Sequence, residues 1–231
     1  MDASIYSDGT YLRNNPEWHA DDSAWKASHI ARMLDRHAIA PQSVCEVGCG
    51  SGEILVQLAS RLPVGTRFAG YDISPDAYEL CSRKAGGNLQ FKLADLLASD
   101  EHFDVALAID VFEHVEDCFD FVRRLRDRAR HKVFHIPLDL SALSLARDGK
   151  LLAMRKSAGH IHYFSKDTAL ALLEDTGYKV IDHFYTSGTT DFENVGWKTR
   201  LMKMPRRALA RVNPDAAARL LGGYSLMVLA E

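Results

Sequence analysis

Three glycines alternate with other residues between a short apolar run and a helical pattern. They are Gly48, Gly50 and Gly52, within the segment VCEVGCGSGEILVQL. Because glycine lacks a Cβ atom, it lets backbone N–H groups approach a ligand closely and it tolerates a positive φ angle. The segment therefore predicts a loop that binds a dinucleotide, a phosphate, a metal ion on the nearby cysteines, or another nucleotide-like ligand.

The spacing of the glycines separates these alternatives. The order is G-x-G-x-G, whereas the dinucleotide fingerprint is G-x-G-x-x-G and the phosphate loop requires a following G-K-[ST]. Glu46 precedes the first glycine by two positions, and a carboxylate there suits a cationic ligand better than a pyrophosphate. Cys45 and Cys49 cannot form a zinc site alone, so no metal is expected.

Acidic residues follow the next three predicted strands. Asp72, followed by Ile73, lies about twenty residues beyond the glycines, where a carboxylate can accept both hydroxyls of a ribose. Asp95 and Leu96 follow the third strand in LADL, and Asp110 follows the fourth in FDVALAIDVFEHV. The alternatives are helix or turn caps for Asp72 and Asp110, and a solvated loop acid for Asp95.

Two histidines are candidate catalytic residues. His114 follows the fourth strand, and His160 lies in GHIHYFS before a predicted helix. An unperturbed imidazole has a pKa of about 6.5, which suits proton abstraction from an oxygen or nitrogen nucleophile. The alternative for each is a structural hydrogen bond within a loop.

Together these segments resemble the class I S-adenosylmethionine (SAM)-dependent methyltransferases, in particular small-molecule enzymes of the ubiquinone-biosynthesis-like, type 11–12 group. The glycine segment matches the first family motif, and GYDIS, LADL, FDVALAIDVFEHV and GHIHYFS match later ones in order. The resemblance covers roughly residues 43–185 and the last strand. It implies SAM as cofactor and S-adenosylhomocysteine as product.

The resemblance also implies a role for each matched position. The cofactor-binding set it gives is Glu46, Gly48, Cys49, Gly50, Gly52, Asp72, Ile73, Asp95, Leu96 and Asp110. Within that set, Asp95 would accept the adenine amino group, Leu96 or the nearby backbone would pack on the ring, and Asp110 would lie beside the methionine part or the substrate.

Strands and helices alternate along the chain. The predicted strands are 43–47, 67–71, 89–93, 103–109, 132–136, 179–185 and 224–230, with helices over 22–37, 52–62, 75–85, 117–130 and 165–173. Such alternation predicts βαβ units and a parallel sheet. With the resemblance it predicts a three-layer, Rossmann-like, doubly wound α/β fold, with seven strands in the order 3-2-1-4-5-7-6 and the last antiparallel.

The predicted organisation is an N-terminal arm with a cap helix over 1–41, then the SAM-binding domain over 42–231. Long insertions at about 137–164 and 187–223 are expected to cover the acceptor side, since long loops at a ligand face are usually functional. Trp25 and Lys26 are unusual for a loose tail, and they predict either packing of the cap helix or a lid over the cofactor.

The second insertion includes a basic stretch from Trp197 to Gly223, with seven Lys or Arg residues and one Asp. Apolar residues alternate with these charges. The stretch is a solvated helical flap, a cover that holds an anionic substrate, or a weak membrane-surface helix.

Composition limits the remaining possibilities. The chain has 231 residues and a net charge of −3, which gives no general attraction to nucleic acid. No apolar run approaches the ~18–20 residues of a membrane span, and no signal peptide is recognised, so a cytoplasmic protein with reduced thiols is expected. Peripheral membrane contact and the oligomeric state stay open.

The sequence therefore predicts methyl transfer to an oxygen or nitrogen atom of a small-molecule or saccharide-like acceptor, without specific nucleic-acid binding. A lipid- or quinone-type acceptor at a membrane surface is the nearest alternative. From other classes, the alternatives are an NAD(P)-binding oxidoreductase and a SAM-binding scaffold without catalysis.

Overall fold

A seven-stranded sheet lies at the centre of the protein. The structure, a computed structural model, describes residues 22–192 and 197–231. The strands are β1 (Ser43–Val47), β2 (Arg67–Asp72), β3 (Leu89–Leu93), β4 (Phe103–Ile109), β5 (Ala129–Leu138), β6 (Val180–Thr186) and β7 (Tyr224–Ala230). Their order is β3-β2-β1-β4-β5-β7-β6, and β7 runs antiparallel to both neighbours. The predicted fold class and strand order are confirmed.

Helices connect the strands and cover the sheet. They are α1 (Ser23–Arg36), α2 (Glu53–Ala59), α3 (Pro75–Ser82), α4 (Cys118–Arg126), α5 (Ala142–Leu145), α6 (Lys150–Ser157), α7 (Lys166–Asp175), α8 (Gly188–Asp191), α9 (Trp197–Val212) and α10 (Pro214–Leu221). Short 3₁₀ helices follow β3 and β4, at Leu96–Ala98 and Phe112–His114. None of the helices in the described ranges is both long and apolar enough to cross a membrane.

The apolar alternation of the central strands builds a core on each face of the sheet. In β1, Val44 belongs to one cluster with α1, α2 and α3, while Cys45 and Val47 belong to the other with α4 and α7. All five residues of β1 are buried. Three layers result, and α1 is one of the helices that complete them. A lid role for the arm stays a prediction, because residues 1–21 lie outside the described residues.

The helix and strand boundaries differ most from their predicted positions around β5. The strand starts at Ala129, three residues early, and α4 ends at Arg126 instead of about Arg130. Pairing with β4 explains this, because Ala129 aligns with Phe103, whose N–H donates to the Arg128 carbonyl at 2.9 Å. Tertiary pairing thus overrides the helical pattern in this segment.

A buried ion-pair network joins α1 to the carboxyl end of the sheet. The Nζ atom of Lys26 lies 2.9 Å from Asp22 and 2.8 Å from Asp110, the residue that follows β4. The other Asp110 oxygen lies 2.6 Å from Nδ1 of His135 on β5, whose Nε2 lies 2.8 Å from the Thr186 hydroxyl on β6. One carboxylate therefore links α1, β4, β5 and β6.

We predict that Lys26→Met destabilises the protein by about 3 kcal/mol, near the lower end for breaking a buried pair, because Asp110 keeps His135. Urea unfolding measures the change. The matched control is Lys179→Met, whose partner Glu231 is solvent-exposed and whose loss should cost less than about 1 kcal/mol. Equal losses in the two variants would show that the network does not anchor α1.

Candidate active site

A cavity of about 810 Å³ opens at the carboxyl ends of the central strands. It lies where ligands bind in doubly wound sheets. Nine of the residues predicted from the sequence line it: Glu46, Gly48, Cys49, Gly50, Asp72, Ile73, Asp110, His114 and His160. The structure therefore brings the glycine segment, two of the three strand-end acids and both histidines to one space.

The glycine loop has the backbone geometry that its composition predicts. Gly48 and Gly50 have φ angles of +67° and +51°, in the left-handed region that favours glycine. A Cβ atom on Gly48 would lie 3.0 Å from the Val111 side chain. The N–H of Cys49 donates to the Tyr71 carbonyl at 3.0 Å, which fixes the loop against the end of β2.

Gly52 has a different role from the other two glycines. It precedes α2 with a φ of +73°, and a Cβ there would lie 2.5 Å from the Phe91 ring and 2.9 Å from Cys81. It is absent from the residues that line the cavity. Gly52 therefore allows close packing of helix on strand, and direct cofactor contact by this residue stays a prediction.

Asp72 fixes the glycine loop and faces the cavity. Its two carboxylate oxygens accept hydrogen bonds at 2.8 Å from the N–H groups of Gly50 and Ser74. Burial raises the pKa of Asp72, against the lowering effect of these backbone bonds. Each oxygen keeps a further lone pair for a ligand hydroxyl. Ile73 beside it is 66% exposed and offers an apolar surface.

Glu46 is a buried acid that the described protein leaves partly unpaired. Its side chain is 2% exposed and lines the cavity, and its Oε2 atom has no hydrogen-bond partner in the described ranges. Burial raises its pKa well above the ordinary value, and Asp72 adds to the rise while Lys26 opposes it. An unpaired buried carboxylate is costly, so this residue fits the cationic cofactor that the resemblance implies.

Asp95 and Leu96 lie just after the end of β3, beside Asp72, because the N–H of Ala94 donates to the Asp72 carbonyl at 3.0 Å. Neither is among the residues that line the cavity. The Asp95 carboxylate accepts from the N–H of Leu97 at 2.8 Å and lies 3.9 Å from Arg124, so it caps the 3₁₀ helix after β3. The Leu96 side chain is fully buried in the core, and contact of Leu96 or the nearby backbone with the adenine ring stays a prediction.

Asp110 is held in an unusual backbone conformation by its partners. Its φ is +54°, rare for a residue other than glycine, and its N–H donates to the His135 carbonyl at 3.0 Å. Burial would raise its pKa, but His135 and Lys26 outweigh that effect and hold the pKa well below its usual range. The carboxylate is therefore ionised and occupied, which favours a positioning role over direct chemistry.

The other end of the cavity gathers two histidines and two acids. The rings of His114 and His160 meet edge to face with centroids 5.0 Å apart. Nδ1 of His160 lies 2.7 Å from the Asp139 carboxylate, and Nε2 of His114 lies 3.8 Å from Glu113. Because an ionised carboxylate only accepts, His160 Nδ1 donates to Asp139.

Backbone bonds bring the first insertion to this end. The N–H groups of Ile161 and His162 donate to the Glu113 carbonyl at 2.9 and 3.0 Å. Nε2 of His162 also donates to the Val115 carbonyl at 2.8 Å. These bonds place His160 beside His114, although 46 positions separate them in the sequence.

Several residues of the site were not predicted from the sequence. Asp139 follows β5 as the other acids follow their strands, so its position after a predicted strand could have identified it as a site residue. Glu113 lies within a recognised motif, but its burial carries no sequence signal. His135 lies inside a buried strand, where a histidine is itself an uncommon residue.

The second insertion contributes one of its basic residues to the lining of the cavity. Arg206 lines the cavity and donates to the Gly222 carbonyl at 2.9 Å and to the Leu221 carbonyl at 3.2 Å. Lys203 donates to the Phe192 carbonyl and Arg207 to the Thr190 carbonyl. Three of the seven basic side chains therefore fix α9 to its neighbours.

The geometry agrees with comparisons with known proteins. A family model described as a methyltransferase domain matches residues 18–183. Among curated relatives, an O-methyltransferase named rstn1 from Aspergillus nomiae is 31% identical over 61% of this chain and 66% of its own length. A ubiquinone biosynthesis O-methyltransferase from Nitrosospira multiformis is 27% identical over 49% of this chain and 52% of its own length. The chain therefore matches between half and two thirds of these relatives.

A solved structure gives the same fold. Magnesium protoporphyrin IX methyltransferase (ChlM) from Synechocystis, with bound S-adenosylhomocysteine, aligns with a TM-score of 0.61 at 19% identity. The alignment covers 90% of this chain and 82% of that one. Since the family model spans more than half of the sequence, the chain belongs to the class I SAM-dependent methyltransferases.

Proposed function

We propose that the protein transfers a methyl group from SAM to an oxygen or nitrogen atom of a small-molecule acceptor. The observation that carries this proposal is the Asp139–His160 pair, which lines the same cavity as Glu46, Asp72 and the glycine loop. A base of this kind is needed when a hydroxyl or ammonium nucleophile must lose a proton.

When bound, SAM supplies a methyl carbon already activated by the sulfonium. Asp72 would hold the ribose hydroxyls, and Glu46 would face a positive charge of the methionine part. Asp139 fixes the His160 ring through Nδ1, so Nε2 is the nitrogen able to take the acceptor proton. Alignment and exclusion of water supply the remaining rate enhancement, up to about 7–11 kcal/mol.

The cavity wall favours an acceptor that carries negative charge. Arg147 and Lys150 from the first insertion line it, together with Arg206 from α9. Cations in the lining of a cavity attract and orient an anionic group such as a carboxylate or phosphate. This supports the acceptor-cover role of both insertions.

The lipid- or quinone-type alternative depends on a different feature. Leu201 and Met204 on α9 are 71% and 72% exposed, which suits a membrane surface. However, Lys203 and Arg207 on the same helix donate to backbone carbonyls, which leaves fewer cations for lipid head groups. We therefore favour a dissolved acceptor; co-sedimentation with anionic vesicles would reverse this preference.

The family and fold do not by themselves establish turnover. Methyl transfer from radiolabelled SAM to a panel of phenols, amines, hydroxylated sugars and their anionic derivatives tests the proposal. Labelled product with at least one member supports it. SAM binding without product from any member, at any pH tested, would favour the scaffold alternative.

The cofactor end is the part of the cavity formed by the glycine loop, Glu46 and Asp72. There we predict that Asp72→Asn weakens SAM binding by about 10- to 100-fold, since it removes charge-assisted bonds of about 1.5–3 kcal/mol. Calorimetry measures the affinity, and circular dichroism checks the fold. Asp127→Asn is the matched control, with a change of less than about threefold expected because its carboxylate is exposed at the end of α4. A larger loss for Asp127→Asn than for Asp72→Asn would contradict the assignment of Asp72.

The acceptor end is the part of the cavity that holds His114 and His160. There we predict that His160→Gln lowers kcat by about 10²- to 10⁴-fold, the usual contribution of a general base. SAM affinity should stay unchanged, because His160 lies outside the glycine loop. Asp139→Asn should give a smaller loss in kcat through misorientation of the ring. The exposed His102→Gln serves as control, and unchanged kcat in His160→Gln would remove this residue from the mechanism.

A further inference from the structure

We propose that Glu113, His114 and His160 form a binding site for a divalent transition-metal ion at the acceptor end of the cavity. Each side chain offers one ligand atom, and the three atoms all lie within 4.8 Å of one another. All three residues line the cavity. The sequence alone predicts no metal, because the three residues come from two separate segments.

Glu113 is the main reason to expect a cation. Its side chain is fully buried, and neither carboxylate oxygen has a hydrogen-bond partner within residues 22–192 and 197–231. Its backbone carbonyl accepts hydrogen bonds from the N–H groups of Ile161 and His162, which fixes the backbone of this residue beside the segment that carries His160. An acid buried without a hydrogen-bond partner is costly in either protonation state, and a bound cation would give its carboxylate the missing partner.

The environment of His160 is typical of a metal-binding histidine. Its Nδ1 donates to Asp139 at 2.7 Å, which leaves Nε2 as the ligand atom. Metal-ligating histidines commonly donate their other nitrogen to a carboxylate, which fixes the tautomer and raises the basicity of the ligand. Asp139 would therefore be a positioning residue for the metal site.

The donor set indicates which ions fit. Two imidazole nitrogens and one carboxylate oxygen suit Zn²⁺, Mn²⁺, Fe²⁺, Co²⁺ or Ni²⁺ better than Mg²⁺ or Ca²⁺, which prefer oxygen ligands. Ligands about 2 Å from a metal lie at most about 4 Å apart. The three side chains therefore need to close by about 1 Å, which side-chain rotation can supply.

Three protein ligands leave a coordination position open, and the cavity faces it. An acceptor oxygen bound there would lose its proton more readily, because a bound cation lowers the pKa of its ligands. This consequence rests on the proposed function, whereas metal binding itself does not. A cation and a proton compete for Nε2 of His160, so the metal-loaded protein would not use that nitrogen as a base.

The test uses tag-free, full-length protein stripped with a chelator and titrated with ZnCl₂, MnCl₂ and CoCl₂. We expect one ion per chain by calorimetry and elemental analysis, a higher Tm with the ion, and visible Co²⁺ absorption. Glu113→Gln, His114→Gln and His160→Gln should each lose at least about 100-fold in affinity. Asp139→Asn should lose about 10- to 100-fold, as expected for a residue that orients a ligand.

The control is Glu116→Gln, an exposed acid that lines the cavity close to the three residues but offers no ligand atom to the set. Its affinity for the ion should be unchanged. Glu113→Gln should keep or raise the Tm of the metal-free protein, because it removes a buried charge, and should lose the rise that metal gives. This separates a metal ligand from a residue that is merely structural.

No binding of any of the three ions at 1 mM, roughly the weak end of site affinities, would overturn the proposal. Unchanged affinity in all three ligand variants would also overturn it. Methyl transfer that persists in chelator-treated protein would refute a catalytic role for the ion and leave the proposed function intact. Metal binding without any methylated product would support the metal site and would count against the proposed function.

Discussion

The carboxylate of Asp110 connects the parts of the protein that must stay in register. It follows β4 in a left-handed conformation and contacts Lys26 on α1 and His135 on β5. The turn after it carries Glu113 and His114. A shift of Asp110 would therefore move the acceptor end of the cavity relative to the glycine loop, and the buried pairs resist such a shift because each leaves an unpaired charge when broken.

Glu46 and Glu113 are buried acids like Asp110, but their carboxylates are less well paired. Glu46 lies next to the last residue of β1 and Glu113 follows β4, the neighbouring strand, and both line the same cavity. Both have carboxylate oxygens without a hydrogen-bond partner in the described parts of the chain, and burial raises the pKa of each well above its ordinary value. Lys26 opposes this rise in both, without outweighing burial. The cavity is thus prepared for positive charge at two places, and the cofactor accounts for one of them.

The fold could be predicted from the sequence because its signals are local. Apolar runs predicted the seven strands, and glycine turns and helix caps predicted where the helices between them begin and end. The resemblance predicted the order of the strands. Residues for the cofactor end could be proposed in the same way, since Asp72 ends β2 and Glu46 lies next to the end of β1. The burial of the Leu96 side chain in the core could not be predicted, because its position in the motif carries no signal of burial.

The acceptor end could not be predicted in the same way, because it depends on long-range contacts. His114 and His160 meet only because Ile161 and His162 bond to the Glu113 carbonyl. No pattern in either segment specifies that contact. In the proposed function the sheet would fix where the methyl donor binds, whereas the two insertions, which a sheet tolerates at low entropic cost, would form the walls that the acceptor meets. Acceptor selectivity should therefore follow residues such as Arg147, Lys150 and Arg206, and change in this family with little effect on the core.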